Sequence, residues 1–280
     1  MDKCRRQYVH KNDMEWIKEV FKTEKPVIAM CHLQAMPGDP NFDEKGGMEK
    51  VVELARRDFL ALQEGGVDAV MFSNEFSLPY LRKVNPETTA AMARVIGELK
   101  SEIRIPFGVN VLWDPYASLD LAAAVGASFI REIMSGVYGS DFGLWDTNTG
   151  EIVRHKRKLG LDNVKMLFNI VPESARYLVD RPIAEIAKTT VFNNKPDVIC
   201  VSGTNAGAST DMNILSVVKE AIPDTAVFAN TGCKLETIED IFKIADGAVV
   251  GTTFKIDGKF ENLVDPDRVK RFMDKVHQIR

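Results

Sequence analysis

The chain has little of what would tie it to a disulfide framework, a membrane or a nucleic acid. Its 280 residues include four cysteines, Cys4, Cys31, Cys200 and Cys233, far apart and with no CxxC pair. That spacing excludes a disulfide scaffold, and with Cys31 and Cys200 inside apolar runs it implies buried free thiols in a reducing compartment. No apolar run approaches the ~20 residues of a membrane span. The polar start MDKCRRQYVHKNDMEW lacks the apolar core of a signal peptide, so a cytoplasmic location is expected. Charge of neither sign dominates: 36 Lys and Arg against 40 Asp and Glu give a net charge of −4. The mixing leaves no basic stripe for a nucleic acid or an anionic lipid surface. No GxGxxG follows the first apolar run, against a nicotinamide or flavin dinucleotide, and no HxH or HExxH fixes two metal ligands on one element.

What is present is alternation. PVIAMCHL (Pro26 to Leu33) is too short and too evenly apolar for a helix and reads as a buried strand. Met48 to Glu64 then carries Met48, Val51, Val52, Ala55, Phe59 and Leu62 at helical spacing, closed by Gly65-Gly66. The unit recurs with strands at Asp68 to Glu75, Pro106 to Leu112, Phe129 to Met134, Val164 to Val171, Asp197 to Gly203, AVFANTG from Ala226 and GAVVGTTF from Gly247. Helices are expected at 87–100, 115–125, 182–192, 211–221, 237–244 and 266–279. Eight alternations with no leftover strand predict a single α/β domain over residues 1–280, a closed (β/α)8 TIM barrel. A short helix over Asp13 to Lys22, with Met14, Ile17 and Phe21 in a stripe, is expected to cover its N-terminal mouth. The loops Gln34 to Gly47 and Ser135 to Gly150, rich in glycine and proline or in glycine and aromatics, read as irregular and mobile, the second as a flap. The basic run Arg154 to Lys158 reads as a solvated outer face.

In such barrels the chemistry gathers at the C-terminal strand ends. Strands seven and eight end in Thr231-Gly232 and Gly251-Thr252, small residues that leave backbone amides uncovered and predict a phosphate cradle at Gly232, Gly251 and Thr252. Ser202 and Gly203 end strand six and are a candidate third wall, and the segment to Gly207 is a candidate anion nest; Asp211 is expected to cap the following helix. The remaining ends are unusually polar. Asn110, Arg131, Asn169 and Asn230 are candidate substrate-binding residues, because buried polar groups need partners. His32, Glu75, Asp114 and Glu132 can supply acid and base for an isomerase or epimerase, or with a divalent cation could ligate it. His32 serves equally as a hydrogen-bonded structural histidine. Parallel strands are buried on both faces, so the pattern leaves open which of Arg131 and Glu132 points inward. Schiff-base chemistry finds no lysine at the top, since Lys165 opens its strand at the other end.

The segments PVIAMCHLQAMPGDP, DAVMFSNE, PFGVNVLWDP, FIRE, VSGTNAGASTD and ADGAVVGTTFKIDGKFENLVDPDRV resemble the BtpA family, also called BtpA/SgcQ, from about Pro26 to Met273. The resemblance implies a ribulose-phosphate-binding type of barrel in a family without a settled reaction. One branch is associated with photosystem I accumulation, and other members with sugar or nucleotide phosphates. Some carry the name phosphoribosylanthranilate isomerase. That activity expects a general-base cysteine ending strand one, where Cys31 stands, and a general-acid aspartate ending strand six, where this chain has Ser202-Gly203. Two classes of function follow: an enzyme acting on a small phosphorylated ligand, and a non-catalytic assembly or stability factor. Either is compatible with a homo-oligomer.

Overall fold

Strands apolar on both faces have no solvent side, so they pair with one another under a cover of helices. In this computed structural model, which describes residues 14–203 and 210–280, the strands are β1 (Val27–His32), β2 (Ala69–Ser73), β3 (Phe107–Asn110), β4 (Phe129–Glu132), β5 (Val137–Ser140), β6 (Gly143–Asp146), β7 (Lys165–Val171), β8 (Ala175–Tyr177), β9 (Val198–Ser202), β10 (Ala226–Asn230) and β11 (Gly247–Val250). β1, β2, β3, β4, β7, β9, β10 and β11 pair in that order, all parallel, and β11 returns to β1 to close the barrel. The helices between them are α2 (Gly47–Glu64), α3 (Pro86–Leu99), α4 (Pro115–Val125), α5 (Thr149–Lys158), α6 (Ile183–Asn194), α7 (Met212–Ala221), α8 (Ile238–Ile244) and α9 (Pro266–Ile279), preceded by α1 (Glu15–Phe21). Caps follow the sequence: Asp211 accepts from the amides of Asn213 and Ile214, and proline opens α3, α4 and α9.

Strand parity divides the core in two. Ile28, Met30, Met71, Phe129, Leu167, Cys200, Phe228 and Val249 fill the barrel, while their neighbours Ala29, Cys31, Val70, Phe168 and Val227 pack against the helices. Gly108 and Gly247 fall on the inner parity because the rings of Phe129 and Phe228 occupy the space a Cβ would need. At the bottom, α1 inserts Ile17 and Phe21, the latter edge-on to Phe129 at 5.5 Å. This plug is where the stripe in the sequence required it.

One expectation is corrected. Strands do remain outside the barrel: β5 and β6 form an antiparallel hairpin, extended by β8 into a three-stranded sheet of order β6-β5-β8 over the top. Glycine-rich text suggested an irregular flap over Ser135 to Gly150. Instead Tyr138 and Trp145, paired across the hairpin, bury against Ile133, with Trp113, Phe142 and Tyr177 packed around them.

Candidate active site at the barrel mouth

The last inward position of each barrel strand is polar or vacant of a side chain: His32, Ser73, Asn110, Arg131, Asn169, Ser202, Asn230 and, just past β11, Gly251. Side-chain bonds knit this layer. Arg131 donates from Nη1 to Asn230 Oδ1 at 2.6 Å and from Nη2 to Asn110 Oδ1 at 2.7 Å, spanning the barrel. Ser202 Oγ accepts from Asn230 at 2.7 Å and from Asn169 at 3.3 Å. Arg131 is therefore the member of its pair that faces the axis. Glu132 turns to the outer side, buried near Ser118 of α4, where it accepts from Asn110 Nδ2 and from the Ile133 amide. Burial pushes its carboxyl well above the ordinary range.

Above this layer opens a cavity of about 780 Å³ whose wall includes ten of the candidate site residues: His32, Glu75, Asn110, Arg131, Glu132, Asn169, Asn230, Gly232, Gly251 and Thr252. His32 packs against Phe260 at 5.3 Å, and its buried Nδ1 has no partner among the described residues. Burial, then the charges of Lys255 and Arg131, hold its imidazole well below the usual value, which keeps it neutral. Glu75 accepts from Ser73 Oγ at 3.1 Å, and burial raises its carboxyl despite Arg131. Glu173, which the sequence did not single out, lines the same space and accepts from the Thr231 hydroxyl.

One corner combines bare backbone with nearby cationic side chains. Thr231 and Gly232 both have left-handed backbones, with φ of 67° and 77°, and Gly251 leads into a short 3-10 turn, Thr252–Phe254. The first amides of such a turn have no carbonyl to bond within it, and those of Thr252 and Thr253 find no acceptor among the described residues. A Cβ on Gly251 would lie 3.1 Å from His32 Nε2. Lys234, Arg268 and Arg271 also line the cavity, and Arg268 Nε donates to the Thr253 carbonyl at 2.9 Å. The sequence hint was the i, i+3 pair Arg268 and Arg271 in a helix following strand eight.

Other candidates lie elsewhere. Asp114 is not in the mouth: it caps α4, its two oxygens taking the amides of Ala117 and Val84, each at 3.0 Å, and it borders a different cavity. Ser202 is committed to the two asparagines rather than free as a third phosphate wall. Gly203 is buried, and the rest of the candidate nest, 204–209, lies outside the described residues. Cys31 cannot serve as a base at the mouth, because it points outward, its thiol 3.7 Å from the Ala55 carbonyl of α2, and burial raises its thiol further from ionisation. Among the described residues no three His, Cys, Asp or Glu side chains converge as ligands of one metal ion. The sequence also passed over Lys255, fully buried, its Nζ 3.5 Å from Asp58 Oδ2.

Comparisons with known proteins agree with this architecture. The family model described as "BtpA family" matches residues 23–278. The chain is 65% identical over 267 residues to the sgc region protein SgcQ of Escherichia coli (strain K12), covering 95% of this chain and 100% of that one. It is 30% identical over 259 residues to the photosystem I biogenesis protein BtpA of Synechocystis sp., covering 91% and 89%. Among solved structures it superposes on the N-acetylmannosamine-6-phosphate 2-epimerase from Clostridium perfringens with a TM-score of 0.55 at 15% identity, covering 92% of this chain and 95% of that one, a likeness of fold.

Proposed function

The chain belongs to the BtpA family, and on that premise, with the geometry of the mouth, we propose that it is an enzyme acting on a small phosphorylated ligand, a sugar phosphate or a nucleotide-like one, by acid and base catalysis of the isomerase or epimerase kind. The observation that carries this is Arg131. Its guanidinium is held by two asparagine oxygens at the cavity floor and, although Glu75 and Glu132 feel its charge, burial pushes both of those carboxyls towards their neutral form, so an anionic ligand suits it as a counter-charge. The phosphate sits between Gly232 and Gly251-Thr252, where backbone amides receive it and Arg268, Arg271 and Lys234 supply charge. The body of the ligand then lies over Arg131, Asn110, Asn169 and Asn230. Neutral His32 is the base, and Glu75, its proton held more tightly by burial, is the acid; Glu173 is placed to share that role. A proton taken from a carbon beside a carbonyl by one group and returned by the other interconverts isomers.

The test is a panel of phosphorylated aldoses, ketoses and nucleotides in deuterated buffer. At least one should raise the melting temperature, since it binds only the native state, and should gain deuterium at the carbon beside its carbonyl. Arg131→Gln should abolish binding, and His32→Gln should abolish exchange while binding survives. A panel without stabilisation overturns the proposal. Stabilisation without exchange favours the second reading, a non-catalytic assembly factor, which the exposed rim residues Leu81, Leu144, Leu178 and Val179 would suit as a docking face.

A further inference from the structure

Arg131 is the half-buried residue of β4, a strand whose other three residues are buried. Its side chain points to the barrel axis and α1 plugs the far end, so that exposure is to the mouth, whose cavity it lines. A guanidinium carries five N–H groups in one rigid plane. The oxygens of Asn230 and Asn110 take one from each Nη, and the other three find no acceptor among the described residues. The bonds that fix the plane thus leave part of its fork open to whatever enters the cavity.

The strand that carries Arg131 faces the phosphate corner across the barrel. Round the ring of eight, β4 stands four places from β11, on the opposite wall. The corner, in the turn beyond β11, has Lys234, Arg268 and Arg271 beside it, enough positive charge for a dianion. The floor has less: in the layer of strand ends, with His32 neutral, Arg131 is the one charged side chain. A single guanidinium balances a single negative charge. A second phosphate would bring two into a buried layer that already has Glu75 and Glu173 above it. A carboxylate has one charge and two oxygens in a plane, the shape that a guanidinium fork receives. Resting on the proposal that the mouth takes a phosphorylated ligand, we infer that this ligand carries a carboxylate, which docks on Arg131 while the phosphate occupies the corner; the substrate class is the phosphorylated sugar acids. With Arg131 so matched, Glu75 loses the strongest influence that favours its ionised form, as suits the acid of the reaction.

Matched phosphates that differ only in carboxylate against hydroxymethyl test it: 3-phosphoglycerate and glycerol 3-phosphate, 4-phosphoerythronate and erythritol 4-phosphate, 6-phosphogluconate and glucitol 6-phosphate. Each is titrated into the parent protein by calorimetry. In at least one pair the acid should bind more tightly than the alcohol by about tenfold or more, as a hydrogen bond between charged groups implies. Arg131→Gln should lose that preference, and Arg131→Lys, which keeps the charge without the fork, should retain part of it. Where phosphates bind but acid and alcohol bind alike to the parent, the inference falls and the phosphorylated-ligand reading stands; this comparison needs no variant to fold. A preference unchanged in folded Arg131→Gln also overturns it, as does tighter binding of fructose 1,6-bisphosphate than of any acid, which would put a second phosphate on Arg131. Failure of every phosphate to bind removes the underlying reading, and this inference with it.

Discussion

Glu132 is a carboxyl group kept from water between a strand and a helix, and its raised protonation makes it a pH gauge of the fold. Because the folded chain binds that proton more tightly than the unfolded one, the group contributes stability below its unfolded value, and the contribution is lost as pH rises through the folded value. Glu132→Gln keeps the shape and removes the titration. Its melting temperature should exceed that of the parent by a margin that grows as pH rises above the ordinary glutamate range; a margin independent of pH would mean the carboxyl does not titrate on unfolding. Gly251 is the second decisive residue. With φ at −120° its backbone is not left-handed, but a branched side chain there would press on His32 and fill the proposed phosphate corner. Gly251→Val should therefore eliminate binding of a phosphorylated ligand while far-ultraviolet circular dichroism stays that of the parent. Unchanged affinity in a folded variant would put the corner elsewhere.

Hairpin β5–β6 shows how an element hides in its own composition. Val137 to Ser140 buries only Tyr138 of its four residues, a glycine interrupts it, and its outer partner β8 arrives only after α5 and β7. No local pattern announces a pairing over that distance. Tyr138, 1% exposed and edge-on to Tyr177 at 5.1 Å, is its anchor. Removing so large a buried side chain costs on the order of 3–5 kcal/mol where packing cannot relax, and here the loss should be local. Tyr138→Ala should raise hydrogen exchange in β5, β6 and β8 and leave the barrel strands protected; faster exchange throughout would show that the sheet is part of the barrel's cooperative unit.

Across the whole molecule, closure depends on contacts between the two ends of the chain. Lys255, two residues beyond the mouth's Thr253, is buried against Asp58 of α2, whose other oxygen receives the Val264 amide at 2.8 Å. Breaking one side of such a pair leaves a buried charge, at a cost of roughly 3–5 kcal/mol. Lys255→Met should lose about that in urea denaturation, and Lys255→Met with Asp58→Asn should recover part of it because Asn still accepts from Val264. A double variant less stable than the single would show that the charge was not the cost.

The sequence by itself determined the barrel and the plug helix, and it marked the strand ends where the proposed phosphate corner lies. Apolar runs of strand length alternating with amphipathic helices admit few other closed arrangements, and glycines at matching strand ends mark where backbone must stay bare. The tertiary structure alone decided parity and partnership. A strand buried on both faces carries no alternation to say that Arg131 looks into the cavity and Glu132 away from it, that Cys31 faces a helix, or that Asp114 is a cap. Nor could a linear pattern bring Arg268, Glu173 or Lys255 to the mouth and its supporting layer. Their positions follow from closing the ring, which sets residues distant in the chain side by side.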